Sequence, residues 1–256
     1  MTSRLEGRTA LVTGSTSNIG RAIALAFAAE GAHVIVSGRD AERGAAVVAE
    51  ARRAGGRADF VAADLDGSQA ASRTLAEQAT ELLGGRLDIL VNNAGIFPGA
   101  STLETDEATF DRVYGVNVKA PFFLTAAVVP AMTDAGGGVV INLGSWIARL
   151  AVPSGGLYSS TKGAMETLTR AWAAEFGPSG IRVNAISPGV ISSAELGPDS
   201  AVARSAMMRG TPAGDAGHPD AIASAAVYLA SDEASFVHGT VIDVDGGRTG
   251  VAVIAG

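Results

Sequence analysis

Short β-branched and aliphatic runs alternate along the chain with longer stretches in which apolar residues recur every three or four positions. The first run, 9–12, is followed by Ile19, Ala22, Ile23, Ala26 and Phe27 on one helical face, with Arg21 and Glu30 off it. That is a strand followed by an amphipathic helix. The same reading predicts further strands near 33–37, 59–62, 89–91, 139–143, 182–185 and 240–244. Strands spaced by helices in this way form βαβ units and hence a parallel sheet, here of seven strands. No proline-rich or charged linker and no solenoid-period repeat divides the chain, so residues 1–256 are expected to form a single α/β domain. The alternation lapses once, over 192–217, where glycines, prolines and a short helical piece replace any strand. A long excursion of that kind usually covers a site.

Composition narrows the function classes. At 256 residues and 47% hydrophobic, the chain can bury one large core. A formal net charge of −7 offers no basic surface for phosphates, so nucleic acid is not an expected partner. The absence of cysteine excludes disulfides, thiolate nucleophiles and cysteine-held zinc, and three histidines (His33, His218, His238) leave little from which to build a metal site. The polar first seven residues hold neither a signal-peptide core nor a membrane span, so the expected place is the cytoplasm, away from membranes.

Chemistry concentrates in two places. Thr13, Gly14, Ser15, Thr16, Ser17, Asn18, Ile19 and Gly20 lie between the first strand and its helix. Free backbone N–H groups and the helix dipole converge there on a cradle for an anion. Asn18 sits where a left-handed backbone is expected, which asparagine tolerates better than other side chains. Further on, Ser145 follows the fifth strand, Tyr158 comes thirteen residues later and Lys162 four beyond that, placing the last two on one helix face. Taken singly, these are a strand-end cap, a buried aromatic and a solvated charge. Taken together they make a proton-transfer group: a tyrosine of ordinary pKa about 10 needs a neighbouring ammonium to lower it before it exchanges protons near neutrality.

These motifs resemble the short-chain dehydrogenase/reductase family, with Asn18 at the middle glycine of the family's Thr-Gly-x-x-x-Gly-x-Gly loop and Ser145, Tyr158 and Lys162 matching its Ser and Tyr-x-x-x-Lys pattern. The resemblance implies a Rossmann-type, doubly wound parallel sheet. It also implies an oxidoreductase in which Tyr158 is the general acid/base, Ser145 polarises the substrate oxygen and Lys162 binds the nicotinamide ribose. Asn117 matches the residue that holds a proton-relaying water. Asn93, Ala94 and Gly95 match the adenosine-ribose segment, and Asp64 with Leu65 the adenine contact. Pro188, Gly189, Ile191 and Ser193 match the nicotinamide contacts, and residues 243–247 the last strand and turn. With the loop residues Gly14, Ser15, Ser17, Asn18, Ile19 and Gly20, these form the expected cofactor site. Gly38 replaces the acidic residue usual in NAD-specific relatives and leaves its space empty, and Arg39 can meet a 2′-phosphate. NADP(H) is therefore expected over NAD(H), although Ser17 supplies none of the second positive charge many NADP-dependent relatives carry there.

Within the family the overall likeness is to 3-oxoacyl-[acyl-carrier-protein] reductases and related ketone reductases. Neither 133–138 nor 176–180, where carrier-dependent enzymes show basic residues, holds a lysine or arginine. A free small ketone, keto ester or alcohol is accordingly favoured over a carrier-bound acyl chain. Trp146, Leu150, Val152, Leu157, Met207 and Met208 form either an apolar substrate wall or ordinary packing. A non-catalytic NADP(H) sensor and an NAD-dependent polyol dehydrogenase remain the other classes; the first would lack the tyrosine or lysine, the second would carry an acid after the second strand. The apolar run Val251, Ala252, Val253 and Ile254 suggests a buried tail, and the resemblance, in which the last strand and its neighbouring helix commonly build a two-fold interface, implies a homotetramer.

Overall fold

The central strand runs are apolar at successive positions, which demands cover on both faces of the sheet they form. The structure, a computed structural model describing residues 3–150, 152–153, 155–193, 195 and 197–252, provides it. Strands β1 (Thr9–Thr13), β2 (His33–Gly38), β3 (Arg57–Ala62), β4 (Ile89–Asn92), β5 (Gly138–Leu143), β6 (Ile181–Pro188) and β7 (Val241–Val244) form one sheet in the order β3-β2-β1-β4-β5-β6-β7. All neighbours pair in parallel, as in the register Leu11 to Ile35 and Leu11 to Leu90. Successive residues of a strand point to opposite faces. Val12, Val34, Val91 and Ile141 pack against Ile23 and Phe27 of α1 (Asn18–Ala29) and Ile222 and Leu229 of α8 (Pro219–Ala230), with α2 (Ala41–Arg53) at the edge. Leu11, Ile35, Leu90 and Val140 meet α3 (Gln69–Leu82), α5 (Ala120–Asp134) and α6 (Gly156–Phe176) on the other face.

Two strand bounds need adjustment. β3 begins at Arg57, and β6 extends to Pro188 because Ser187 and Pro188 pair with Asp243 and Val244 of β7, a tertiary ladder that strand propensity does not reveal. The excursion contains α7 (Pro198–Met207), and its base is closed by an isolated bridge from Ile191 to Gly217. Val253 and Ile254 of the apolar tail lie outside the described residues. α4 (Glu107–Tyr114), a one-turn π-helix at Gly115–Lys119 and α5 run end to end. This stretch, Glu107–Asp134, is long and apolar enough in composition to cross a membrane, but half of its most apolar window is buried within the fold.

Candidate active site

In an open parallel sheet the carboxyl ends of the strands frame a crevice where the strand order reverses, here between β1 and β4. A cleft of about 1000 Å³ opens there. Its floor is fixed by hydroxyls and amides. Thr13 Oγ1 accepts the Asn93 and Ala94 N–H groups at 3.0 and 3.1 Å, and Asn93 Nδ2 donates to the Thr13 and Gly14 carbonyls at 2.8 and 3.0 Å. Gly14 has φ +62°, and a Cβ on it would lie 2.9 Å from Ala94 Cα, so both backbone angle and space require glycine. Asn18 takes the expected left-handed conformation, at φ 46°, the one non-glycine residue so placed among those described.

The cleft brings together Gly14, Ser17, Asn18, Ile19, Gly20, Gly38, Arg39, Asp64, Leu65, Asn93, Ala94, Gly95, Pro188, Ser145, Tyr158 and Lys162. Other residues foreseen for the site do not reach its surface. Ser15 is fully buried: its hydroxyl donates to the Val12 carbonyl at 2.6 Å and accepts the Ser37 N–H at 2.9 Å, so it braces the loop from below. Gly189 packs against Asp245, where a Cβ would lie 2.5 Å from Asp245 Cα, and Ile191 is 5% exposed. Ser193 Oγ is buried without a hydrogen-bond partner.

The space beside Gly38 is not empty. A Cβ there would meet Thr16 Cγ2 at 2.8 Å, so the Thr16 side chain fills the place an acidic residue would need. Arg43, also in the cleft, was not foreseen. It lies in the first turn of α2, just beyond Arg39, and a second arginine so soon after the end of β2 was the available signal. Its guanidinium pairs with the helix-capping Asp40, Nε to Oδ2 at 2.7 Å.

At the other end of the cleft, Ser145 caps a short 3₁₀ turn, Trp146–Ala148, its Oγ accepting the Ile147 N–H at 3.4 Å, and it lines the cleft together with Tyr158. Lys162, 5% exposed, donates from Nζ to the Leu143 carbonyl at 2.8 Å and lies 5.5 Å from the Tyr158 ring centroid. Burial pushes Lys162 down to about 8. Burial also pushes Tyr158 up to about 12, opposed only by the Ser145 hydroxyl. The expected lowering of the tyrosine by its lysine is thus reversed in the chain itself, because desolvation of the phenol outweighs an ammonium directed to Leu143. Asn117 sits on the π turn and is 1% exposed. Its Oδ1 accepts the Ile96 N–H at 2.9 Å, and its Nδ2 donates to the Ile96 carbonyl at 3.0 Å and Thr161 Oγ1 at 3.1 Å. These protein partners tie the side chain to the loop beyond Gly95 and to α6.

The apolar residues divide between the two readings left open above. Trp146 and Met208, 7% and 1% exposed, pack with Ile147 and Val190, and Val152 leans on them, so these are packing. Leu150 and Met207 are 38% and 45% exposed. An unforeseen aromatic, Phe97, lines the cleft with its ring centroid 4.8 Å from that of Tyr158. Residues 133–138 and 176–180 lead into the N-terminal ends of β5 and β6, where Gly138 N–H meets the Gly180 carbonyl. They therefore lie across the sheet from the cleft, and their lack of basic residues does not describe its rim.

A family model described as enoyl-(acyl carrier protein) reductase matches residues 14–249. Cyclopentanol dehydrogenase of Comamonas sp. is 36% identical over 252 residues, covering 96% of this chain and 98% of that one. Among solved structures, a 7α-hydroxysteroid dehydrogenase complexed with NADH and 7-oxo glycochenodeoxycholic acid superposes with a TM-score of 0.89 at 37% identity, covering 96% of each chain. A gluconate 5-dehydrogenase from Burkholderia cenocepacia, in complex with NADP and tartrate, superposes with a TM-score of 0.89 at 33% identity, covering 98% of each.

Proposed function

We propose that this chain, which belongs to the short-chain dehydrogenase/reductase family, transfers a hydride between NADP(H) and a carbonyl or secondary alcohol with Tyr158 as general acid/base. The observation that carries this is the convergence of Ser145, Tyr158 and the buried Lys162, whose Nζ lies 5.5 Å from the Tyr158 ring centroid, at one end of a cleft whose other end is a glycine loop and helix N-terminus.

The residues fit the cofactor. The first turn of α1 presents backbone donors for a pyrophosphate, and Arg39 and Arg43 stand where β2 ends, the place of the adenosine ribose. Each charge-assisted bond to a 2′-phosphate contributes about 1.5–3 kcal/mol, which favours NADP(H) over NAD(H). Thr16 at Gly38 adds to that preference by filling the place of a competing carboxylate. Relatives of both kinds exist, one solved with NADH and one with NADP. When bound, the nicotinamide supplies or accepts the hydride.

Ser145 orients the substrate oxygen and donates a hydrogen bond to it. Tyr158 gives that oxygen a proton in reduction and takes it back in oxidation. A protonated Lys162 near the phenol stabilises the phenolate left behind, and its pKa of about 8 lets it pass the proton on near neutral pH. Burial holds Tyr158 in its acid form, the state that reduction needs.

Phe97, which lines the cleft with its ring centroid 4.8 Å from that of Tyr158, gives the site an apolar side, and we favour a free small ketone or keto ester as substrate. A homotetramer in the cytoplasm completes the reading, motivated by the exposed apolar residues Phe236 and Val251 around β7. A panel of ketones and alcohols assayed with NADPH, NADH and their oxidised forms, followed by nicotinamide absorbance, tests it. Turnover of ketones with NADPH is expected, and equal or better kcat/KM with NADH would overturn the cofactor assignment.

A further inference from the structure

Glu195 lies in the excursion, two residues beyond Ser193, yet its carboxylate reaches the start of α1. Its Oε2 accepts the Asn18 N–H at 2.9 Å, a contact across 177 positions of sequence. Asn18 is the first residue of α1, so this N–H is one of those with no partner inside the helix. Such donors, together with the positive end of the helix dipole, are what a phosphate loop offers its ligand. Two side-chain atoms on the residues involved, Asn18 Oδ1 and the nearby Ser193 Oγ, are buried without a partner. Glu195 is thus anchored by its carboxylate at the anion-binding end of the cleft, while the hydroxyl of Ser193 is unsatisfied.

A carboxylate and a pyrophosphate have the same sign of charge and need the same donor. We infer that Glu195 is a determinant of cofactor affinity: it competes with the dinucleotide pyrophosphate for the Asn18 N–H, so a dinucleotide binds only as Glu195 leaves α1. Departure of Glu195 frees the adjoining Ser193 to satisfy its hydroxyl on the incoming cofactor, which couples the seating of the excursion to the arrival of the dinucleotide. The inference rests on the reading of the cleft as a dinucleotide site given under Proposed function.

The experiment is equilibrium binding of NADPH, by fluorescence of the reduced nicotinamide, and of adenosine 2′-monophosphate, by calorimetry. The full-length wild type is compared with Glu195→Gln, Glu195→Ala and the control Asp199→Asn, which removes a neighbouring acid from the first turn of α7. Removing one competing charge from a helix N-terminus is expected to tighten NADPH binding about three- to thirtyfold in both Glu195 variants. Adenosine 2′-monophosphate, which has no pyrophosphate, should bind all four proteins equally, and Asp199→Asn should match wild type with both ligands. The NADPH gain should shrink at high salt, as an exposed charge effect must. NADPH binding by the Glu195 variants that is unchanged or weaker overturns the inference, as does equal tightening of both ligands or a gain in Asp199→Asn. If wild type binds adenosine 2′-monophosphate and NADPH not at all, the dinucleotide reading itself fails and the inference falls with it.

Discussion

Lys162 is a cation held almost out of water, and among the described residues its ammonium donates only to the Leu143 carbonyl. Burial lowers it from an ordinary 10.5 to about 8. Between those values the unfolded chain holds a proton that the folded chain has released, so stability rises with pH across that window and is lost as pH falls through 8. Tyr158, raised from 10.0 to about 12, works in the opposite direction only above pH 10. Urea titrations should therefore show wild-type stability climbing from pH 8 to pH 10, and Lys162→Met should abolish the climb. That variant should also be the more stable protein at pH 7, by on the order of 1–3 kcal/mol, since it no longer buries a charge. Wild-type stability that is level across this range would show that the ammonium is not desolvated.

The cofactor assignment also belongs to single residues. Gly38→Asp alone forces Thr16 to move, whereas with Thr16→Ala the new Cβ has its nearest Thr16-side neighbour at 3.6 Å, ordinary contact. The triple change Thr16→Ala, Gly38→Asp, Arg39→Ala should reverse the preference from NADPH to NADH, measured as the ratio of kcat/KM, by a factor of about a hundred or more. A ratio unmoved by the triple variant would show that these positions do not face the adenosine ribose.

Among the elements, the order of strands was legible because most are short apolar runs, and α1 because Ile19, Ala22, Ile23, Ala26 and Phe27 fall on one face of it. The glycine loop and the Tyr158 and Lys162 pair were legible because sequence neighbours are also spatial neighbours there. What sequence did not show depends on distant contacts: the last turn of β6 is made by pairing with β7, Thr16 meets Gly38 across the loop, and Phe97 reaches Tyr158 from another strand end. The π turn at Gly115–Lys119 was equally hidden. It turns Asn117 inward to hold both backbone groups of Ile96 and the Thr161 hydroxyl, tying the loop after β4 to α6. Asn117→Ala leaves those buried groups without partners, and should cost about 2 kcal/mol in chemical denaturation as well as lowering kcat. A variant as stable as wild type would show that water replaces the amide at no penalty.

For the whole molecule, Phe236 before β7 is fully exposed and Val251 after it is 52% exposed, apolar side chains that a single copy leaves in water. Light scattering should give four times the chain mass of 25.6 kDa, and a monomer would count against the tetramer. Whether the cleft exchanges one proton through Tyr158 is read from a comparison of wild type with Tyr158→Phe. Both proteins would be titrated with NADPH and then assayed for ketone reduction. Tyr158 as general acid predicts unchanged NADPH affinity within about twofold and a kcat lower by at least about a hundredfold, the scale such a group contributes. A Tyr158→Phe protein that binds NADPH normally and retains more than about a tenth of wild-type kcat would contradict it.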